Sequence, residues 1–180
     1  MGTLCNECGL AVNNKKEPVY ETEMFGVTVS LINAVTVTFC GCDEEITIPN
    51  QRGLIAAMAL VRAGMPQKLS GKEIKFLRKV MDKPANEMAV FLDVDPATLS
   101  RWENDKVPIS IIAEKFMRMT AVSLLEKDAP IVETSLEDIS QLEITGFNEP
   151  GASVHLCLEL VKYKEKRKEI EEQYLRNEAA

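Results

Sequence analysis

Residues 88–104, with the sequence MAVFLDVDPATLSRWEN, contain two short helical patterns separated by a turn. Apolar side chains between Met88 and Leu92 predict a first helix. Asp95 predicts the N-cap of a second helix, and Pro96 suits its first position because the missing N–H has no intrahelical partner there. Two helices joined by a turn of three or four residues have the spacing of a helix-turn-helix, so we expect this motif at the centre of the chain.

The flanking residues predict further helices. Ser70 and Glu73 form a capping box that begins a helix before the motif. Pro108 and Ser110 begin a helix after it, for which the expected buried residues are Ile109, Ile112, Phe116, Met119 and Val122. Residues 50–68 predict a linking helix that is apolar on nearly all sides, which indicates burial between two domains.

The central motif closely resembles the helix-turn-helix of the Cro/CI-like (XRE) repressor family. The resemblance extends over about residues 69–125 and is most specific in Leu99-Ser100-Arg101-Trp102-Glu103-Asn104. It implies an all-α Cro/CI-like DNA-binding domain at residues 69–127, in which the second helix of the motif enters the major groove while the first crosses the phosphate backbone.

The second helix and the residues after it carry the side chains expected to bind DNA. These residues are Pro96, Ala97, Thr98, Arg101, Asn104 and Lys106. Arg101 is expected to contact a guanine, since its planar guanidinium matches O6 and N7. The alternative for Arg101 is pairing with Glu103, with Asp105 or with a phosphate. Ala97 and Thr98 are expected near a thymine methyl group. Asn104 and Lys106 are expected to contact phosphates.

The chain departs from the Cro/CI-like pattern at the start of the motif. Pro84 replaces the usual capping residue, and Ala85 replaces a glutamine that touches the DNA backbone in many members. A cap and a hydrogen-bonding side chain are therefore both missing. We expect fewer phosphate contacts than usual, shared with Lys72, Lys83 and Asn86.

Four of the five cysteines form two tight pairs, Cys-x-x-Cys and Cys-x-Cys. Four thiolates at the corners of a tetrahedron bind Zn²⁺, and two short cysteine turns can supply them. We expect one structural Zn²⁺ per chain in preference to free thiols, and free thiols in preference to disulfides. The expected ligands are Cys5, Cys8, Cys40 and Cys42. Because the second pair is one residue tighter than usual, Asp43 is the alternative to Cys42.

Alternating apolar residues lie between the two cysteine pairs. The alternation over residues 24–39, interrupted at Asn33-Ala34, predicts a β-hairpin or two short strands. A zinc-binding β module is therefore expected at residues 1–49. Such a small module buries little apolar area, whereas zinc can contribute roughly 10–16 kcal/mol to its folding.

Residues 128–180 are expected to form a C-terminal extension. Alternation from Ser153 to Leu160 predicts a short strand, and the charged tail from Lys162 to Ala180 predicts a solvated helix or a frayed terminus. The predicted fold class is α+β. A small β-rich zinc-binding N-terminal domain precedes an all-α helix-turn-helix domain of about five helices, a short C-terminal strand and the charged tail.

Charge is distributed unevenly along the chain, whose formal net charge is -7. Residues 1–49 contain two basic and seven acidic side chains, residues 50–106 ten and seven, and residues 107–180 nine and fourteen. The basic centre coincides with the predicted helix-turn-helix. Local positive charge favours phosphate binding, while the acidic flanks reduce non-specific affinity for nucleic acid.

An N-terminal zinc module followed by a Cro/CI-like helix-turn-helix resembles the MqsA (YgiT-type zinc-finger) antitoxin family. The resemblance implies a transcriptional repressor that binds a palindromic operator as a homodimer, binds a cognate toxin protein through its zinc domain, and autoregulates a type II toxin–antitoxin operon. The chain departs from the family in its Cys-x-Cys pair, in the longer link from Ile46 to Leu69 and in its C-terminal extension.

Two other functions stay open on this evidence. One is a solitary zinc-containing transcriptional regulator, and the other is a protein-interaction adaptor whose helix-turn-helix no longer binds DNA. For the dimer contact we favour the helical domain over the strand at residues 153–160.

The residue types do not predict an enzyme. Four thiolates around one ion leave no open coordination position, and His155 is the single histidine of the chain. The longest strongly apolar run, Leu54 to Val61, is shorter than the roughly 18 residues that cross a bilayer, and no basic segment followed by an apolar one begins the chain. We therefore expect a cytoplasmic protein without a membrane-spanning segment.

Overall fold

The computed structural model describes residues 4–146, 154–163 and 171–176. The predicted start of the C-terminal strand at Ser153 and residues 164–170 and 177–180 of the predicted tail lie outside the described residues. Strands and helices are both present, as the α+β prediction requires. The elements are β1 (Asn13–Met24), β2 (Val27–Phe39), β3 (Glu44–Thr47), α1 (Gln51–Gly64), α2 (Gly71–Val80), α3 (Ala85–Phe91), α4 (Pro96–Glu103), α5 (Ile111–Leu125), α6 (Leu136–Gln141), β4 (His155–Tyr163) and β5 (Glu171–Arg176).

The strands form one sheet in which β2 is central. β1 pairs antiparallel along one side of β2, and β3 pairs antiparallel with the other side near its C-terminal end. Next to β3, β4 pairs parallel with the first half of β2, where Thr28 lies opposite His155 and Ile32 opposite Glu159. β5 is antiparallel to β4. The sheet thus contains strands from both ends of the chain.

The chain turns between β1 and β2 at Phe25 and Gly26. The prediction of a turn at Asn33-Ala34 was therefore wrong. Both Phe25 and Gly26 have positive φ angles, 56° and 81°, which matches the right-handed twist of a two-residue hairpin turn. β2 instead continues through Asn33, so residues 27–39 are one strand rather than two.

The turn-forming residues at Asn33 produce a β-bulge. Asn33 has a φ of 56°, and the pairing register between β1 and β2 shifts between Glu17 and Val19. Pro18 occupies the shifted position, where its lack of an N–H costs no ladder hydrogen bond. The local pattern at this point bends the strand without reversing it.

α1 is the centre of the core, as its apolar sequence predicts. It lies between β4 and β5 of the sheet and the helices α2 and α5. Leu54, Met58 and Leu60 are fully buried, and so are the alternating side chains of β2 on the inner face of the sheet. Asn50 caps the helix by accepting a hydrogen bond from the Gly53 N–H at 3.0 Å.

α5 presents a different face to the core from the one expected. Ile109 and Val122 are buried, but Ile112 and Phe116 are exposed. Glu114 and Arg118 are turned inward instead and are fully buried. The prediction that Ile112 and Phe116 are core residues was wrong because a buried ion pair occupies the inner face of the helix.

Two buried ion pairs hold the segment that links α1 to α2. Arg62 donates to both carboxylate oxygens of Glu73, at 2.5 and 2.9 Å. Arg118 donates to Glu114 at 2.6 Å and to the carbonyl oxygens of Ala63, Met65 and Gln67. The two arginines thus provide hydrogen-bond donors for carbonyl groups of this segment and fix the path of the chain between the sheet and the helices.

The C-terminal segment folds back onto the rest of the molecule. The Thr145 N–H donates to the carbonyl of Pro66 at 2.9 Å, and the Lys68 N–H donates to the carbonyl of Thr145 at 3.2 Å. A strand is present over residues 155–160, as predicted, and continues to Tyr163. The prediction of a helix or frayed terminus was wrong for Lys162 and Tyr163, which end β4, and for Glu171–Arg176, which form β5.

Candidate metal centre and helix-turn-helix

The fold brings the two cysteine pairs together at one end of the β1–β2 hairpin. Cys5 and Cys8 precede β1, while Cys40 and Cys42 follow β2. Since the two strands are antiparallel, the start of β1 lies beside the end of β2, and all four Sγ atoms lie within 4.8 Å of one another. The four cysteines could hold a metal ion.

The second cysteine pair contributes both of its thiols to the cluster. The Sγ atom of Cys42 lies 3.3 Å from that of Cys40 and 3.6 Å from that of Cys5. Asp43 does not belong to the group, although its carbonyl oxygen accepts a hydrogen bond from the Cys40 N–H at 3.0 Å. All four thiols are free, and no disulfide links them.

A tight turn shapes the first cysteine pair. The Gly9 N–H donates to the carbonyl of Cys5 at 2.9 Å, and the Cys5 N–H donates to the carbonyl of Leu10 at 2.8 Å. Gly9 has a φ of 70°, a conformation that glycine adopts without the steric cost of a Cβ atom. The turn leaves backbone N–H groups facing the sulfur atoms.

These N–H groups favour thiolates at the first pair. Hydrogen bonds from the backbone of Cys8 and Glu7 lower the pKa of Cys5 to about 6, and one from the backbone of Leu10 lowers the pKa of Cys8. The pKa of Cys42 is raised, because it shares hydrogen bonds with the thiols of Cys40, Cys8 and Cys5. Four thiolates repel one another, and a cation among them removes that repulsion.

His155 and Cys157 lie away from this cluster, on β4. His155 Nε2 is 2.7 Å from the hydroxyl oxygen of Ser30, which also donates to Glu21 at 3.3 Å. Burial raises the pKa of the Cys157 thiol, with a smaller contribution from Glu159. The structure gives both residues packing partners within the sheet.

Helices α3 and α4 are joined by a short turn, and together they form the helix-turn-helix arrangement that the spacing predicts. Asp95 caps α4 by accepting a hydrogen bond from the Ala97 N–H at 2.7 Å, and Pro96 occupies the first position. Leu99 and Trp102 are buried and fix the orientation of α4. Pro84, which precedes α3, makes no side-chain capping hydrogen bond.

The predicted DNA-binding side chains lie on the outer side of α4 and just after its end. Thr98 is half-buried and the other five are exposed, namely Pro96, Ala97, Arg101, Asn104 and Lys106. The amide of Asn104 donates to the carbonyl of Ser100 at 2.7 Å, so it already has a partner within the helix.

Arg101 has neither of the intramolecular partners considered for it. Glu103 accepts two hydrogen bonds from Arg78 instead, at 2.5 and 3.1 Å. Asp105 accepts one from the Gly71 N–H at 2.6 Å. Among the described residues Arg101 makes no ion pair. Its guanidinium is therefore available to a ligand.

Arg78 and Asp105 support α4 in ways that the sequence did not indicate. They hold the C-terminal end of α4 against α2, where a Cβ on Gly71 would lie 2.6 Å from the Trp102 carbonyl oxygen. Arg78 lies four residues after Ile74, on the apolar side of α2, but nothing near it in the sequence indicates its partner Glu103, 25 positions later.

Comparison of the chain with protein-family models, with curated proteins and with solved structures gave no significant match. In the described part of the chain, no helix combines the length and apolar character that crossing a bilayer requires.

Proposed function

We propose that this protein is a zinc-containing, sequence-specific DNA-binding repressor and the antitoxin of a type II toxin–antitoxin operon. The observation that carries the proposal is the outer surface of α4. Arg101 is exposed and unpaired there, while Glu103 and Trp102 are engaged on the opposite side with Arg78 and the core. A supported helix with a free guanidinium suits contact with base edges.

Zinc is the metal that best fits the four cysteines. Thiolate sulfur is a soft ligand, and a set of four without water or carboxylate is typical of structural zinc. Zn²⁺ would be bound by Cys5, Cys8, Cys40 and Cys42, and the backbone N–H groups that lower the pKa of Cys5 and Cys8 favour the thiolate form that it requires. Elemental analysis of the purified protein should find one zinc per chain.

The repressor proposal is tested by binding to the DNA upstream of its own gene. Fluorescence anisotropy should give tighter binding to that duplex than to a scrambled one. Replacing Arg101 by Ala should reduce this preference by about 10- to 100-fold, which corresponds to roughly 1–3 kcal/mol for one bidentate base contact. Arg52→Ala is the matched control, because Arg52 is exposed at the far end of α1 and pairs with Asp128. An unchanged preference in the Arg101 variant contradicts the proposal.

An exposed apolar face supports a homodimer on a palindromic operator. Ile112 is 84% exposed and Val90 is 79% exposed, and between them Phe91 stacks on Phe116 with ring centroids 4.9 Å apart. The stacked rings join α3 to α5, and exposed apolar side chains on these two helices are stabilised when a second surface covers them. Ile112→Glu should convert the dimer to a monomer in light scattering and weaken operator binding.

The proposal that this chain binds a toxin rests on the family resemblance. The cysteine end of the hairpin exposes Leu4, Leu10 and Ile46 beside several acidic side chains, a combination that suits a basic protein partner. A gene for a small basic RNase-like protein beside this one, whose product co-purifies with the chain, supports the antitoxin. Its absence favours the solitary zinc-containing regulator.

A second candidate is a protein-interaction adaptor that no longer binds DNA. It is favoured by Pro84, which leaves the start of α3 without a side-chain cap, and by Ala85, which has no group to reach a phosphate. The same anisotropy measurement separates the two functions, because an adaptor shows no preference for the upstream duplex.

A further inference from the structure

The exposed surface of α2 carries a stripe of three lysines. Lys72, Lys75 and Lys79 recur at spacings of three and four, so they lie along one side of the helix, and all three are exposed. Within the described ranges none of them forms an ion pair. We refer to these three residues as the α2 basic stripe.

Folding withdraws the acidic side chain of α2 itself from this surface. Glu73 is the acidic residue within α2, and it is buried against Arg62. Arg78 is also withdrawn, since it is buried against Glu103. Asp82, just beyond the helix, is the nearest exposed acid in sequence. α2 therefore presents positive charge to solvent although its sequence contains both signs.

The α2 basic stripe lies beside the C-terminal end of α4. Lys72 follows Gly71, whose N–H is bonded to Asp105 and which packs against the backbone of Trp102 and Glu103. At the other end of the stripe, Lys79 follows Arg78, which is bonded to Glu103. Residues next to both ends of the stripe thus contact the C-terminal end of α4, where the proposed phosphate contacts Asn104 and Lys106 follow and where the exposed Asp105 is also bound.

We propose that the α2 basic stripe binds backbone phosphates of the same DNA duplex that α4 enters. This inference rests on the proposed function, and it adds a contact surface outside the helix-turn-helix itself. Lysines provide sequence-independent affinity by displacing counterions from phosphates. They would compensate for the start of α3, where Pro84 and Ala85 offer no side-chain group that binds a phosphate.

The test compares two double variants with the same change in net charge. Lys75→Gln/Lys79→Gln removes two lysines of the stripe but keeps Lys72, whose side chain packs against the hairpin turn at Gly26. Lys16→Gln/Lys127→Gln removes two exposed lysines from β1 and from the end of α5. Dissociation constants are measured by anisotropy at several NaCl concentrations, for the upstream duplex and for a scrambled one.

The stripe variant should bind both duplexes at least about tenfold more weakly at 100 mM salt, and its salt slope should fall by about 2, one for each phosphate contact. The ratio of the two affinities should not change. The control variant should match the unmodified protein. An unchanged slope in the stripe variant, or an equal loss in the control, overturns the proposal.

The two proposals fail in different ways. If the unmodified chain shows no preference for the upstream duplex, the repressor function fails, while a smaller salt slope in the stripe variant on both duplexes still supports the stripe. If the preference is present and the slope does not depend on Lys75 and Lys79, only the stripe fails. Stripe-dependent binding to duplex RNA or anionic vesicles, without binding to duplex DNA, overturns the assignment to DNA.

Discussion

The two ends of the β1–β2 hairpin lie in contrasting surroundings. At the turn end, the Phe25 ring stacks on Phe76 of α2 with centroids 5.1 Å apart, and the following residues of β2 are buried. At the cysteine end, Leu4, Leu10 and Ile46 are exposed, and the thiols of the two cysteine pairs lie against one another. One end is stabilised by packing, and the other carries the four cysteines that could hold a metal ion.

Removing the proposed zinc ion should produce the largest effect and should separate the two ends. A chelator should abolish amide protection in residues 4–17 and 36–47, because a bound zinc contributes roughly 10–16 kcal/mol where little apolar area is buried. Residues 27–32 and helices α1 to α5 should keep their protection in hydrogen exchange. Cys8→Ser should behave like chelation and Cys157→Ser like the unmodified protein. Equal loss of protection at both ends would show that one cooperative unit spans the hairpin.

The stability of the packed body, on which the turn end of the hairpin rests, should depend strongly on its buried ion pairs. Arg118→Met leaves Glu114 charged without its ion-pair partner and frees the carbonyl groups of Ala63 and Met65, so the free energy of unfolding should fall by about 3–5 kcal/mol. Arg52→Met, which removes the exposed pair with Asp128, should cost less than about 1 kcal/mol. Urea denaturation followed by circular dichroism measures both. A loss of similar size in the two variants would contradict the role assigned to burial.

Each end of the hairpin contains one glycine with a positive φ angle. Replacing each of them by alanine tests the difference between the two ends more finely. Gly26→Ala and Gly9→Ala both place a Cβ in the left-handed region, at a cost of about 1 kcal/mol each. The first should lower the free energy of unfolding of the packed body, and its Cβ also meets the Lys72 side chain. The second, with nothing within 4 Å, should leave that value unchanged and weaken zinc affinity about fivefold in a competition titration. If Gly26→Ala weakened zinc affinity and Gly9→Ala lowered the free energy of unfolding, the contrast between the two ends of the hairpin would be wrong.

The smallest expected effects concern two aspartates with left-handed backbones in the helical body. Asp93 and Asp105 have φ angles of 52° and 54°. Asp93→Gly should stabilise the protein by about 0.5 kcal/mol, because glycine relieves the strain at this position. Asp105→Gly should instead destabilise it by about 1 kcal/mol, since the side chain accepts the Gly71 N–H. Thermal melts of the two variants should therefore shift in opposite directions.

Local signals predicted much of this molecule. The cysteine pairs come together because a single antiparallel hairpin separates them. Their spacing predicted that they would meet, although the predicted strands and turn differed from those of β1 and β2. The capping residues Asn50, Ser70 and Asp95 each accept the expected hydrogen bond at the start of a helix. In these cases the partner lies a few residues away or at the other end of one hairpin, so sequence order determines the geometry.

The predictions failed where distant partners decide the structure. Ile112 and Phe116 have the periodicity of a buried face, but Arg118 turns inward to bind carbonyl groups more than fifty positions earlier in the chain. The charged residues of β5 were expected to be helical or frayed because nothing in residues 171–176 indicates β4 as a pairing partner. The Asn33-Ala34 pair was expected to form a turn. Because β1 pairs with β2 on both sides of it, the pair forms a bulge instead.

The parallel pairing of β2 with β4 also sets an order of events during synthesis. Ser30 and His155, which are in contact across these strands, are 125 positions apart in the chain. A ribosome must therefore release α1 to α6 before β2 can acquire its parallel neighbour, and until then one side of β2 near Val29 and Leu31 has no strand beside it. A nascent chain of this protein exposes an aggregation-prone strand edge for most of its translation, and α1 is the first element able to cover the inner face of that strand.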